Sequence, residues 1–150
     1  MWGFLGNYAT DPTVAVGSAF RPPVLPGNLM QIHNLSRQTT LATNAQRAHT
    51  YRDRFLGLMF REALPQGGGL LLEPEGSIHT FFMRFPIDVL YLDRDSRVLR
   101  AVQAMPPNRI SPVLTRGCHA ILELPAGVIL QSGTQAGDQL QIESETDDEQ

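Results

Sequence analysis

Short apolar runs separated by turn residues dominate the chain, and this pattern predicts a mostly β protein. Runs of four to eight apolar or alternating residues are typical of strands. The predicted strands are residues 29–35, 39–45, 70–73, 78–83, 87–92, 98–103, 120–124 and 139–142. The proline-rich stretch 105–117 is predicted as a long loop, and residues 127–137 as a turn or a short helical piece.

One stretch has the period of a helix. Its apolar residues recur at i, i+4, i+7 and i+8 as Tyr51, Phe55, Leu58 and Met59. Such a stripe lies on one face of a helix, so we expect one main helix over about residues 51–60. Many short strands with one helix favour an α+β fold, mostly β. In this fold a small curved antiparallel or mixed sheet closes towards a barrel, and the helix packs across it.

The ends of the chain differ from its middle. Residues 1–28 contain scattered proline and glycine without any period, which predicts a flexible leader. Met30 opens the first periodic segment, so we expect it to be the natural start of translation. A single domain is predicted over residues 29–142, followed by a disordered acidic tail over 143–150.

Composition and charge exclude several classes of function. With 150 residues and 42% hydrophobic residues, the chain has the length and core of one globular domain. All twelve basic residues are arginine, and five of the fifteen acids lie in the final stretch, which leaves the body nearly neutral. A nucleic-acid surface usually shows a concentrated basic excess, so none is expected. No apolar run is long enough for a membrane helix and no signal peptide is visible, so we expect a cytoplasmic protein. We also expect it to be a monomer.

Several segments, in their order along the chain, resemble the DUF192 (UPF0127) family. They are residues 57–61, 64–65, 81–93, 105–107, 122–127 and 137–138, which read GLMFR, LP, FFMRFPIDVLYLD, MPP, LELPAG and GD. Together they extend over most of residues 30–142. The resemblance implies a compact β-rich fold. It brings no established activity and therefore no catalytic residue, and many relatives are exported behind a signal sequence.

Asp88 is the most informative polar residue, because it stands in a strand that is apolar on both faces. It shares one face with Leu90 and Leu92. A carboxylate in such a place is costly unless it finds partners. Two interpretations stay open. Asp88 either pairs with an arginine or backbone N–H groups and holds a loop or the helix, or it lies at the mouth of a pocket with a binding or acid–base role.

Glu123 repeats this pattern between two leucines. If Asp88 and Glu123 lie on neighbouring strands and converge, they can form an acid–base pair. The candidate counter-ions are Arg54, Arg61 and Arg84. A buried network of arginines and carboxylates explains the same residues without catalysis.

The remaining candidates for chemistry are single residues. His79 precedes an aromatic pair and joins the candidate polar site, but the histidines lack metal-ligand spacing, and no nucleophile or phosphate-loop motif occurs. We therefore expect no metal and no cofactor. Cys118 is the only cysteine, which excludes an intrachain disulfide, and a small core hydrophobe is the favoured interpretation.

Three hypotheses for function follow. The preferred one is a non-catalytic binding domain for a small molecule or peptide, with its pocket near His79, Asp88 and Glu123. The second is an enzyme of unknown reaction that uses Asp88 and Glu123 as acid and base. The third is a protein-interaction domain. In each case the partner is a small molecule or a protein, and neither nucleic acid nor a membrane is expected.

Overall fold

Strands dominate the computed structural model, which describes residues 29–48, 63–73, 83–109 and 115–144. In chain order the elements are β1 (Leu29–Asn34), β2 (Thr39–Ala48), β3 (Gly68–Leu72), β4 (Ile87–Leu92), β5 (Val98–Met105), β6 (Ala120–Pro125), α1 (Val128–Ser132) and β7 (Leu140–Ser144). The seven described strands form one sheet in the order β5-β4-β6-β3-β2-β1-β7. Among these strands only β2 and β3 pair in parallel, so the sheet is mixed. Seven strands with one short helix confirm the prediction of a mostly β fold.

The observed elements agree with the predicted ones within a few residues. The strand predicted over 87–92 is β4, and α1 falls inside the stretch 127–137. β7 extends to Ser144, past the predicted end of the domain at residue 142. The predicted helix at 51–60 and the leader lie outside the described residues. So do most of the predicted strand at 78–83 and the tail from residue 145.

The sheet curls until its two edge strands touch. Arg97 and Gln139 form an antiparallel bridge, and the Val98 N–H donates to the Asp138 carbonyl at 2.9 Å. The Gly137 N–H donates to the Val98 carbonyl at 2.7 Å. Because β5 and β7 both begin at this antiparallel contact, they run away from each other and the pairing does not continue. The result is a half-barrel, which confirms the prediction of a curved sheet that closes towards a barrel.

Apolar side chains cover both faces of the sheet. Leu90, Leu122 and Leu124 belong to an inner cluster, into which α1 inserts Val128 and Ile129. An outer cluster contains Val89, Tyr91 and Ile121, among others. Every residue of β4 and β6 is buried. A polar residue in either strand therefore faces one of the two clusters, and its strand position decides which one. No helix in the described parts of the chain is long and apolar enough to cross a membrane.

Candidate functional site

The Asp88 carboxylate is fully buried and accepts three hydrogen bonds from backbone N–H groups. Oδ2 accepts from Gly127 at 3.1 Å and from Ile129 at 2.8 Å, at the start of α1. Oδ1 accepts from Ala104 at 2.8 Å. The carboxylate thus joins β4 to the first turn of α1 and to the end of β5.

These contacts explain how so short a helix begins. The first N–H groups of a helix have no partner within it, and Gly127 at the N-cap has no side chain that could accept from them. Asp88 accepts from two of these groups across the fold. Ile87 pairs with Met105 and Val89 with Val102, so β5 carries one extra residue between these pairs and forms a bulge. Ala104 lies in this bulge and has a φ of 47°. Asp88 therefore contacts two irregular points of the backbone at once.

Glu123 lies on the other face of the sheet. In the β4–β6 pairing Asp88 stands opposite Leu124, whereas Val89 stands opposite Glu123. Directly opposed residues share a face, so Asp88 points towards the inner cluster and Glu123, which is 4% exposed, towards the outer one. The structure does not bring the two carboxylates together on one side of the sheet.

Arg84 is the one predicted counter-ion within the described chain, and it forms none of the hydrogen bonds of Asp88. Arg84 is exposed, and the three hydrogen bonds given above for Asp88 all come from backbone N–H groups. Arg54, Arg61 and His79 lie outside the described residues.

A third buried carboxylate, Asp138, is not one of the predicted site residues. It is 5% exposed, and its Oδ2 accepts from Asn34 Nδ2 at 3.0 Å, Arg37 Nε at 3.0 Å and the Gln135 N–H at 3.1 Å. Asn34 Nδ2 also donates to Thr134 Oγ1 at 3.0 Å. This Asp138 cluster ties the β1–β2 hairpin to the segment between α1 and β7, beside the point where the half-barrel closes.

The cluster changes the acidity of its carboxyl group. Burial raises the pKa of Asp138, but the hydrogen bonds from Asn34, Arg37 and Gln135 and the charge of Arg37 lower it by more. The net result is a pKa below the ordinary aspartate value. The cluster therefore favours the ionised form, as expected of a carboxylate with a structural role.

A cleft in the described structure lies beside α1. Its volume is about 350 Å³, and it is lined by residues 39–43 of β2, by Gln66 and Gly67, and by Val128, Gln131 and Ser132 of α1. Gly67 has a φ of 81°, and a Cβ there would lie 2.8 Å from Thr43 Oγ1, so only glycine fits this wall without strain. The described residues that line the cleft carry hydroxyl and amide side chains, and none of them is titratable.

A third polar group joins the C-terminal ends of β2 and β3 to the start of β6. His119 Nε2 lies 3.2 Å from Glu73 Oε1, and Arg47 Nη1 lies 3.6 Å from Glu73 Oε2. Cys118 beside it is partly buried, and its thiol donates to the Ala120 carbonyl at 3.3 Å. In the described ranges no three His, Cys, Asp or Glu residues are grouped as metal ligands would be.

The sequence contained weak signals for the features that were missed. The Gly137-Asp138 pair was noted as a motif, but neither Asn34 nor Arg37 is near it in sequence, so the cluster forms only when β1 and β7 pair. The polar residues Thr39, Thr40, Thr43 and Gln66 were a weak signal for the polar wall of the cleft. They line the same cleft only because the chain reverses at Gly67, before β3.

A family model supplies the identification. DUF192, described as "Uncharacterized ACR", matches residues 32–142, which is most of the chain. The chain belongs to the DUF192 family. A UPF0127 protein from Thermococcus sibiricus is 34% identical over 102 residues, covering 65% of this chain and 65% of that protein, so the chain spans about two thirds of that relative's length. Another UPF0127 protein, from Pyrococcus furiosus, is 29% identical over 113 residues, covering 72% of this chain and 94% of that protein.

Two solved structures share the fold of this chain. A protein of unknown function from Novosphingobium aromaticivorans matches this DUF192 chain with a TM-score of 0.67 at 22% identity, covering 82% of this chain and 94% of its own. A putative transcription regulator from Sinorhizobium meliloti matches with a TM-score of 0.65 at 21% identity, covering 76% and 92%. At these identities the likeness concerns the fold alone.

Proposed function

We propose that this DUF192 domain is a non-catalytic binding module, which holds a small molecule or a short peptide in the cleft beside α1. The observation that carries the proposal is the chemistry of the cleft walls. Hydroxyl and amide groups of Thr40, Gln66 and Gln131 can donate and accept hydrogen bonds there, while Leu41 and Val128 supply apolar surface. Concave sites that combine apolar surface with a few polar groups are typical of ligand binding.

The same walls favour binding over catalysis. General acid–base chemistry needs a titratable group within reach of the substrate, and the described lining provides none. Among the lining hydroxyls, Ser132 Oγ bonds the Val128 carbonyl at 2.7 Å and lies 2.7 Å from Thr134 Oγ1, with no base in either contact. Thr40 Oγ1 lies 3.1 Å from His33 Nδ1, but His33 is not among the described residues that line the cleft. Asp88 and Glu123, on opposite faces of the sheet, offer no joint acid–base site. The binding site we propose shares α1 with the contacts of Asp88 but does not use its carboxylate.

A thermal-shift screen of the full chain tests this proposal. The ligand pools are sugars, nucleotides, amino acids and short peptides. A ligand at about a hundredfold excess over its Kd stabilises the folded state by about 2.7 kcal/mol, which raises the Tm by about 5 °C or more. In Gln131→Trp the indole obstructs the cleft, so the shift should disappear. Leu130→Trp, on the same helix at a residue that is 73% exposed and outside the cleft lining, should keep it.

Two outcomes would contradict the proposal. One is a screen in which no pool raises the Tm. The other is a shift that survives in Gln131→Trp at full size, which would place the ligand elsewhere on the domain.

A further inference from the structure

We infer that the ligand of the cleft is an extended, uncharged peptide segment, which adds a strand beside residues 39–43 of β2. This inference rests on the proposed function and names the ligand class. It depends on the pairing of β2, on the chain reversal that precedes β3, and on the polar character of the cleft.

β2 is longer than the strand that pairs with it on one side. β1 pairs with β2 from Thr39 onwards, whereas β3 pairs with it only from Asn44, which stands opposite Gly68, to Ala48. Within the described chain, residues 39–43 therefore have a strand on their β1 side and no β3 residue opposite them. They form an edge inside an otherwise continuous sheet, and register shifts on either side of the Ile32–Ala42 pair make this edge irregular.

The chain reversal before β3 marks where this edge begins. The Gly67 carbonyl accepts from the N–H groups of Thr43 and Asn44, both at 2.9 Å, and the Gly68 N–H donates to the Pro65 carbonyl at 2.9 Å. The chain turns away at this point, and Gln66 and Gly67 become a wall of the cleft. The line of β3, prolonged past Gly67, runs into the cleft alongside residues 39–43.

An extended peptide has the chemistry that fits this place. A strand edge presents a row of N–H and C=O groups, and an added strand pairs with them. The side-chain amides of Gln66 and Gln131 can each donate to a peptide carbonyl and accept from a peptide N–H. Because the described lining carries no charge to match, we expect an uncharged segment. The volume of about 350 Å³ is near the lower end for ligand sites, which limits the enclosed part to a few residues.

The test uses the full chain, labelled with ¹⁵N, and two sets of probes. The first is a library of acetylated and amidated hexapeptides built from Ala, Ser, Thr, Val, Asn and Gln. The second is a pool of sugars and nucleotides. Peptides retained by the immobilised chain are synthesised singly and titrated by NMR. We expect amide shifts at residues 39–43, loss of binding in Gln131→Trp and retention in Leu130→Trp.

N-methylation of the bound peptide separates strand addition from other modes of binding. In an added strand, alternate N–H groups face β2, so methylation at one set of alternating residues should weaken binding about tenfold per residue. Methylation of the other set should have little effect. Equal effects of the two sets, or amide shifts away from residues 39–43, would overturn strand addition.

The two probe sets separate this inference from the proposed function. If only sugars or nucleotides change the amide resonances of the cleft residues, strand addition fails and the proposed function stands. If neither set binds, both fail.

Discussion

Asp88 and Asp138 are both buried aspartates, yet the fold satisfies them in different ways. Asp88 accepts only backbone N–H groups, from α1 and from the β5 bulge. Asp138 accepts from the side chains of Asn34 and Arg37 and from one backbone N–H group. The first carboxylate therefore depends on backbone geometry alone, while the second has a partly exposed arginine as its counter-ion.

The difference indicates what each carboxylate stabilises. Without Asp88, the N–H groups of Gly127, Ile129 and Ala104 would lose their acceptor, and that of Ile129 is fully buried, so α1 and the bulge depend on it together. Asp138 instead joins the β1–β2 hairpin to the segment before β7, at the point where the half-barrel closes. Water and the remaining neighbours can replace part of its contacts, because the Arg37 side chain is 35% exposed.

The largest effect should come from Asp88→Ala. It leaves three backbone N–H groups without their acceptor and should lower the free energy of unfolding by about 3–5 kcal/mol. Asp88→Asn is the matched control. Its carbonyl oxygen can still accept from the two α1 amides, so its loss should be about 1–3 kcal/mol. Urea denaturation of the full chain measures both. A wild-type midpoint for Asp88→Ala would show that the carboxylate is not structural.

A smaller effect, with a defined pH dependence, should come from Asp138→Asn. The amide oxygen can keep the geometry of Oδ2 but not its charge, so the loss at pH 7 should be about 1 kcal/mol. The pKa of Asp138 is lower in the folded chain than its ordinary value. Its charge therefore contributes stability above the unfolded pKa of about 3.9, and this contribution is lost as the pH falls through the folded pKa.

The difference between wild type and Asp138→Asn isolates that contribution, because the other acidic groups titrate in both proteins. Unfolding by urea should show the difference at pH 7 and a progressively smaller difference as the pH falls below about 3.9. A difference that stays constant over this range would mean that the charge of Asp138 contributes nothing to stability.

The same two residues show how far sequence reasoning reaches. Asp88 was singled out because a carboxylate in a buried strand is conspicuous, and the period of the strand placed it correctly on the face of Leu90 and Leu92. Period alone could not give its partners, which come from a bulge and a helix distant in sequence. Nor could it show that Glu123 faces away, since that follows from the β4–β6 register. Asp138 lies at a turn, where polar residues are common, so the sequence alone does not mark it as buried. Its partners Asn34 and Arg37 come near it only when β1 and β7 pair.

The smallest expected effect concerns the bulge held by Asp88, and it is a gain. Ala104 has a φ of 47° and an exposed side chain, so a left-handed backbone is imposed on a residue with a Cβ. That conformation costs about 1–2 kcal/mol for a residue with a Cβ, and glycine removes this cost. Glycine also loses more conformational freedom on folding, which offsets about 0.5–1 kcal/mol of the gain. Ala104→Gly should therefore stabilise the domain by about 0.5 kcal/mol. Ala101→Gly in the same strand, where φ is not positive, should destabilise it.

In the Asp88→Asn background the gain from Ala104→Gly should shrink, because the weakened hydrogen bond from the Ala104 N–H to residue 88 no longer holds Ala104 in place. A double-mutant cycle by urea denaturation measures this coupling, and additive effects would mean that the bulge does not depend on Asp88.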